Sequence, residues 1–264
     1  MATTPRVLIL RTAGTNCDAE TKHAFEVAGA KADLVHVNRL REGRFSLRDY
    51  QMLAIPGGFS YGDDIAAGRV LANELTSALA EEISEFVRRG NLMIGICNGF
   101  QVMVKTGLLP AALVSPRAVT TTLAPNDSGR FEDRWVYLRS EPSRCVWTQG
   151  LGTIYLPIAH GEGKFLARES GTVERLERSG QVALRYVGPS GGPAAGYPWN
   201  PNGSTNAIAG VCDPSGRLFG LMPHPERHLY GYQHPRWTRE GLKRHGDGFQ
   251  VFRNGVEFAR RNLA

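Results

Sequence analysis

The chain opens on an apolar run. Val7 to Leu10 stand between Arg6 and Arg11, the pattern of a strand buried on both faces. From Asp18 to Ala28 the apolar positions turn to helical spacing, and Gly29 closes that segment in the C-terminal capping position. Residues 33–37 and 52–55 read as the next two strands. Leu75, Leu79, Ile83 and Phe86 then recur at helical spacing in a single helix that Gly90 ends. Residues 92–96 form another short apolar strand, and a helix follows at once from about Asn98. Strands alternating with helices predict an α/β fold, a mainly parallel sheet with helices on both faces, in a single domain.

The pattern loosens after residue 110. Residues 110–133 are rich in Pro, Thr, Ser, Asn and Gly, which predicts one or more long functional loops. Strands are expected at 135–139, 153–157, 182–186 and 218–222, with 188–196 an exposed, turn-rich connector. No internal repeat or domain linker interrupts the chain. Residues 1–227 read as the main body. Residues 228–264 read as a basic segment packed on the same domain, ending in a helix with Phe249, Phe252, Val256 and Ala259 on one face.

Composition narrows the function classes. The 264 residues are 42% hydrophobic and 21% charged, too apolar for a disordered chain. No apolar run approaches the roughly 18 residues that a membrane helix needs. The net charge of +6 raises the possibility of nucleic acid, but eight basic residues against three acidic ones lie from Arg227 onward. The body is therefore nearly neutral, and neither nucleic acid nor membrane is expected as a partner. The tail is either a docking surface for an acidic partner or phosphorylated ligand, or a solvated face. Cys17, Cys97, Cys145 and Cys212 are far apart and form no CxxC pair, which argues against a zinc site and a disulfide framework. No metal is expected. With no secretory pattern at the N-terminus, the expectation is a cytoplasmic protein with reduced thiols. Cys17, Cys145 and Cys212 read as structural.

Cys97 has a different setting. Gly95-Ile96-Cys97-Asn98-Gly99 sits where a strand must turn sharply into a helix, the geometry of a nucleophile elbow with cysteine in place of serine. The flanking glycines remove side chains that would collide with the neighbouring strand and helix. An ordinary thiol, with a pKa of about 8.5, is only a few per cent ionised near pH 7, and the helix N-terminus favours the thiolate. Such a nucleophile needs a proton acceptor oriented by a third group. Met222-Pro223-His224-Pro225-Glu226-Arg227 supplies both: in an extended segment His224 and Glu226 share a side, and the prolines stiffen the backbone. Gly57 and Gly58 follow directly on the strand at 52–55, at the edge where open parallel sheets bind ligands. Their backbone N–H groups, with that of Asn98, are the expected oxyanion hole. The segment matches neither GxGxxG nor GxxxxGK[ST], so it is not a phosphate loop.

The wording of these motifs is similar to a known family. Pro56-Gly57-Gly58-Phe59-Ser60-Tyr61-Gly62-Asp63, Gly95-Ile96-Cys97-Asn98-Gly99-Phe100-Gln101, Ile158-Ala159-His160-Gly161-Glu162-Gly163, Asn200-Pro201-Asn202-Gly203-Ser204 and Gly220-Leu221-Met222-Pro223-His224-Pro225-Glu226-Arg227 occur in the order found in triad-type glutamine amidotransferases. They resemble most closely the glutaminase subunits of phosphoribosylformylglycinamidine synthase, in de novo purine biosynthesis. The resemblance implies a flavodoxin-like glutamine amidotransferase fold. It implies a glutamyl thioester on Cys97, proton transfer by His224 oriented by Glu226, and glutamine held in part by Gln101 and Gly161. It implies ammonia delivery to a separate synthetase subunit, which carries the ATP and Mg2+ and converts formylglycinamide ribonucleotide to the amidine. It also implies a small bridging subunit, and no cofactor on this chain. Asp64-Ile65-Ala66-Ala67-Gly68 and the long C-terminal stretch depart from the family pattern without touching the triad. The alternatives are another cysteine hydrolase of the same fold, which would place its histidine beside the nucleophile, and a non-catalytic basic binding module.

Overall fold

Nine strands build one sheet in the computed structural model, which describes residues 3–115 and 119–263. The strands in chain order are β1 (Arg6–Arg11), β2 (Lys31–His36), β3 (Met52–Ile55), β4 (Leu92–Ile96), β5 (Thr121–Pro125), β6 (Glu132–Ser140), β7 (Thr153–His160), β8 (Glu162–Ala167), β9 (Val182–Val187), β10 (Ile208–Cys212) and β11 (Leu218–Leu221). The helices are α1 (Asp18–Val27), α2 (Val37–Arg41), α3 (Arg69–Ala78), α4 (Ala80–Arg88), α5 (Asn98–Lys105), α6 (Leu108–Ala111), α7 (Thr172–Arg178), α8 (Trp237–Glu240) and α9 (Phe249–Asn262). The sheet order is β2-β1-β3-β4-β11-β10-β9-β6-β7, and β5 pairs with β8 apart from it. From β2 to β11 every neighbouring pair is parallel, and from β11 to β7 every pair is antiparallel.

The parallel half explains why its strands are apolar throughout. Every residue of β3, β4 and β11 is buried, which requires cover on both faces of the sheet. Helix α5 packs against β3, β4 and β11, while α1 packs on β1 and β2. Register then fixes the location of the site. Ile9 pairs with Ala54, Ile55 with Gly95, and Ile96 with Leu221. The C-terminal ends of β1, β3, β4 and β11 therefore share one edge, where residues 12–17, 56–58, Cys97 and 222–224 leave the sheet together.

The structure differs from the sequence expectation in several places. The single helix expected around Leu75 to Phe86 is two, α3 and α4, broken at Leu79, whose φ of −123° and ψ of 12° are not helical. Leu75 on one helix and Ile83 and Phe86 on the other are still buried, so the apolar spacing survives the break. The loop expected over 110–133 contains α6 and β5, and its residues 116–118 lie outside the described ones. Strands β10 and β8 were not foreseen. The first is a short run interrupted by Gly210, and the second follows β7 after only Gly161.

The C-terminal helix lies against the body. Val251, Phe252, Val256 and Ala259 are buried, whereas Phe249 is half-buried and stacks on His245. The Phe252 ring meets Phe25 of α1 edge-on at 5.1 Å, and Trp147 meets the same Phe25 at 6.2 Å.

Candidate active site

Cys97 occupies the sharp turn between β4 and α5. Its φ of 52° and ψ of −107° are rare for a residue with a side chain and cost roughly 1–3 kcal/mol, which the surrounding packing must offset. The Cys97 N–H donates to the Leu221 carbonyl at 2.8 Å, tying the turn to β11. A side chain at Gly99 would overlap the Ile55 carbonyl, so the start of α5 can lie directly on β3. The Cys97 thiol is nearly buried and points its hydrogen toward the Ala159 carbonyl at 3.6 Å.

His224 arrives from β11 on a backbone whose N–H donates to the Pro157 carbonyl at 2.8 Å. Its Nδ1 donates to Glu226 Oε1 at 2.6 Å, and both side chains are buried. The extended segment expected here is absent. Residues 225–227 form a 3-10 turn, and that turn, not strand alternation, brings the carboxylate back onto the ring. Burial pulls the His224 pKa down, but Glu226, Cys97 and Cys17 outweigh it and hold the imidazole well above its usual value. Nε2, the ring's other nitrogen, has no hydrogen-bond partner among the described residues.

The Gly-Gly turn lies against this pair. A Cβ at Gly57 would stand 2.8 Å from His224 Cε1, 3.1 Å from Cys17 Sγ and 3.4 Å from Cys97 Cβ, so the bare backbone is what fits. Gly58 has φ 138°, and a Cβ there would meet the Gly14 carbonyl and the Asn16 N–H at 2.7 Å. The turn is tied to the end of β1 by bonds from the Asn16 and Cys17 N–H groups to the Gly57 carbonyl, at 3.4 and 3.2 Å.

Asn98 does more than lend its backbone. Its Oδ1 accepts from the Ser60 N–H at 3.1 Å, and its Nδ2 donates to Asp63 Oδ1 and Gln101 Oε1, both at 2.9 Å. Gln101 Nε2 donates in turn to the Glu162 carbonyl at 2.5 Å. The buried Gln101 amide is thus engaged between α5 and the β7–β8 turn. Gly161 sits at the accessible tip of that turn, 3.9 Å from Phe131 when given a Cβ. Burial raises the Asp63 carboxyl pKa above the ordinary range, against the pull of its bonds to Gly68 and Asn98.

The sequence reading passed over two residues at this edge. His160 is buried, and burial, followed by the charge of His224, lowers its pKa to about 3, so it is neutral. Its Nδ1 faces Asn126 Oδ1 at 3.2 Å, and the Asn126 amide nitrogen is committed to the carbonyls of His160 and Arg130. Cys17, expected to be structural, has its Sγ 4.0 Å from His224 Nδ1 and accepts from Arg227 Nη2 at 3.1 Å. Burial raises the Cys17 thiol pKa, against the pull of His224 and Arg227. Its place at the end of β1, the neighbour of β3, was the available signal. Cys145 and Cys212 are buried elsewhere in the core. A surface cleft lined by Phe45, Glu82 and Arg89 holds none of the residues above, so side-chain convergence marks the site.

Comparison with known proteins agrees with the geometry. Residues 4–259 match the model of the CobB/CobQ-like glutamine amidotransferase domain. The chain is 52% identical to the phosphoribosylformylglycinamidine synthase subunit PurQ of Dehalococcoides mccartyi over 97% of this chain and 98% of that one. It is 44% identical to the PurQ subunit of Archaeoglobus fulgidus over 96% of both. The structure of PurLQS from Thermotoga maritima superposes with a TM-score of 0.74 at 33% identity, covering 97% of this chain and 99% of that one. A glutamine amidotransferase of the same organism, 13% identical with a TM-score of 0.52 over 98% of this chain and 93% of its own, shares the fold alone. The chain belongs to the glutamine amidotransferase family and, within it, to the PurQ subunits of phosphoribosylformylglycinamidine synthase.

Proposed function

We propose that this chain hydrolyses glutamine at Cys97 and passes the ammonia to an ATP-dependent synthetase subunit of phosphoribosylformylglycinamidine synthase. The observation that carries the reading is the convergence, at one sheet edge, of a cysteine in an elbow, a buried His224–Glu226 pair 2.6 Å apart, and the bare backbone of Gly57. The Cys97 thiol gives its proton to Nε2 of His224 as the sulfur attacks the side-chain amide carbon, and the oxygen's developing charge is met by the N–H groups of Gly57, Gly58 and Asn98. The imidazolium so formed protonates the departing nitrogen, leaving ammonia and a glutamyl thioester. Water then attacks the thioester with its proton taken by His224, releasing glutamate and restoring the thiol. Glu226 orients the ring and stabilises its positive form. Gly161, at the open turn, and Gln101, which braces that turn from α5, hold the substrate's amino-acid end.

The partner reading is supported by the Thermotoga maritima structure, solved as PurLQS. We assign a synthetase subunit and a small bridging subunit as partners, with ATP and Mg2+ on the synthetase, no cofactor on this chain and a cytoplasmic place of work. No helix among the described residues is long and apolar enough to cross a membrane. Labelling with a glutamine-mimicking electrophile, read by intact mass, tests the nucleophile. One adduct is expected, absent from Cys97→Ala. An adduct that persists in that variant, or none with the partner subunits present, overturns the assignment.

A further inference from the structure

We propose that Cys17, His224 and Glu226 form a binding site for a thiophilic divalent metal ion such as Zn2+, and that its occupation silences the glutaminase. The sequence hides this site because Cys17 lies 207 residues from His224 and no two cysteines share it. In the fold, one donor atom from each of the three lies within 4.8 Å of the others. Cys17 Sγ is 4.0 Å from His224 Nδ1, and Zn–S and Zn–N bonds of usual length hold such atoms about 3.6 Å apart in a tetrahedral site. Closing around an ion therefore draws the sulfur inward and opens the Nδ1–Glu226 Oε1 contact from 2.6 Å to about 3.3 Å, rearrangements of side chains alone.

The donor set selects the ion. Thiolate, imidazole and carboxylate suit Zn2+ and its neighbours, whereas Mg2+ and Ca2+ take oxygen alone. All three residues are buried, and Glu226 Oε2 has no hydrogen-bond partner among the described residues. A buried carboxylate oxygen without a partner is costly, and a cation is the partner it lacks. Burial raises the Cys17 thiol pKa, and the bond that Arg227 Nη2 donates to its sulfur opposes that rise.

The consequence follows from imidazole chemistry. Binding displaces the Cys17 S–H proton to solvent and moves the ring's proton from Nδ1 to Nε2. The neutral ring then carries its proton on Nε2, which can no longer accept one. The hydrogen bond to Glu226 is exchanged for the metal, and the substrate-side nitrogen ceases to be a base. This consequence rests on His224 serving as the base, but metal binding itself does not.

Binding is read apart from its consequence: glutamine hydrolysis by the partner complex should fall at saturating ZnCl2 and return with a chelator, unchanged turnover overturning the silencing, while uptake is measured on its own. Equilibrium dialysis of the full chain against ZnCl2, with bound zinc measured directly, needs no turnover. Wild type, Cys97→Ala and Cys145→Ser are expected to bind one equivalent with equal affinity, and Cys17→Ser and Glu226→Gln to bind at least about tenfold more weakly. Co2+ added to Cys97→Ala should give a thiolate-to-metal absorption band, which reports Cys17 without mutating it. No uptake by wild type, equal uptake by Cys17→Ser, or loss of uptake and of the band in Cys97→Ala would each overturn the proposal.

Discussion

Gly57 has room for a hydrogen and nothing larger. Its replacement by alanine puts a methyl group 2.8 Å from His224 Cε1, so the ring must move. We expect Gly57→Ala to lower glutamine turnover at least about tenfold, because displacements of an ångström at a reacting centre cost that much or more. Steady-state kinetics on the partner complex, beside a thermal unfolding curve, checks this; wild-type turnover would contradict it. His160 makes a pH-dependent prediction of stability. Its pKa is about 3 in the fold against about 6.5 in an unfolded chain, so between those values the unfolded state binds more protons. Its contribution is complete above the unfolded value and falls with pH by about 1.4 kcal/mol per unit below it. Urea unfolding at pH 7.5 and 5.5 should show this slope in wild type and a shallower one in His160→Asn; equal slopes refute it. Cys97, His224, Glu226 and the two glycines were legible as residue types in special settings. Cys17 and His160 were not: Cys17 carries no motif of its own, His160 entered only within the wording of residues 158–163, and the register of β1 with β3 and the return of β7 place them.

Elements were legible where burial is two-sided. The apolar runs at β3 and β4 were read to the residue because every position is buried and a polar residue, Gln51 or Asn91, precedes each run. Where only one face is covered the pattern weakens, as in β6, whose buried and half-buried positions alternate irregularly. The break at Leu79 was invisible because the apolar period runs through it. The expected side-by-side strand placement of His224 and Glu226 failed for a related reason: Pro225 starts a 3-10 turn, a conformation its fixed φ favours. Helix α9 docks through Phe252, which is fully buried against Phe25. Phe252→Ala should cost about 3–5 kcal/mol, the range for deleting a buried aromatic ring. A urea midpoint within error of wild type would show that the helix is peripheral to the fold.

At the scale of the molecule, the charge that first suggested nucleic acid is an organised part of the tail's fold. Arg236 pairs with Glu240 and reaches the hydroxyls of Tyr137 and Tyr155. Arg253 and Arg261 pair with Glu257, Lys243 with Asp247, and Arg227 with Glu20. Arg260 donates to the Gly29 carbonyl at the end of α1. These contacts favour a solvated, self-paired face over a dedicated docking surface. Changing Arg239 and Arg244 to glutamine should then alter affinity for the synthetase subunit by less than about threefold, with an unchanged salt dependence, since charges at an interface rim would instead change the association rate and its response to salt. A steep loss that salt abolishes would make the tail a docking site. The central claim concerns division of labour between subunits. Its most direct measurement is amidine formation by the reconstituted complex, supplied with either glutamine or ammonium. Cys97→Ala should lose the glutamine-dependent rate by at least about a thousandfold while the ammonium-dependent rate stays at the wild-type level. Retained use of glutamine, or loss of both rates together, would contradict it.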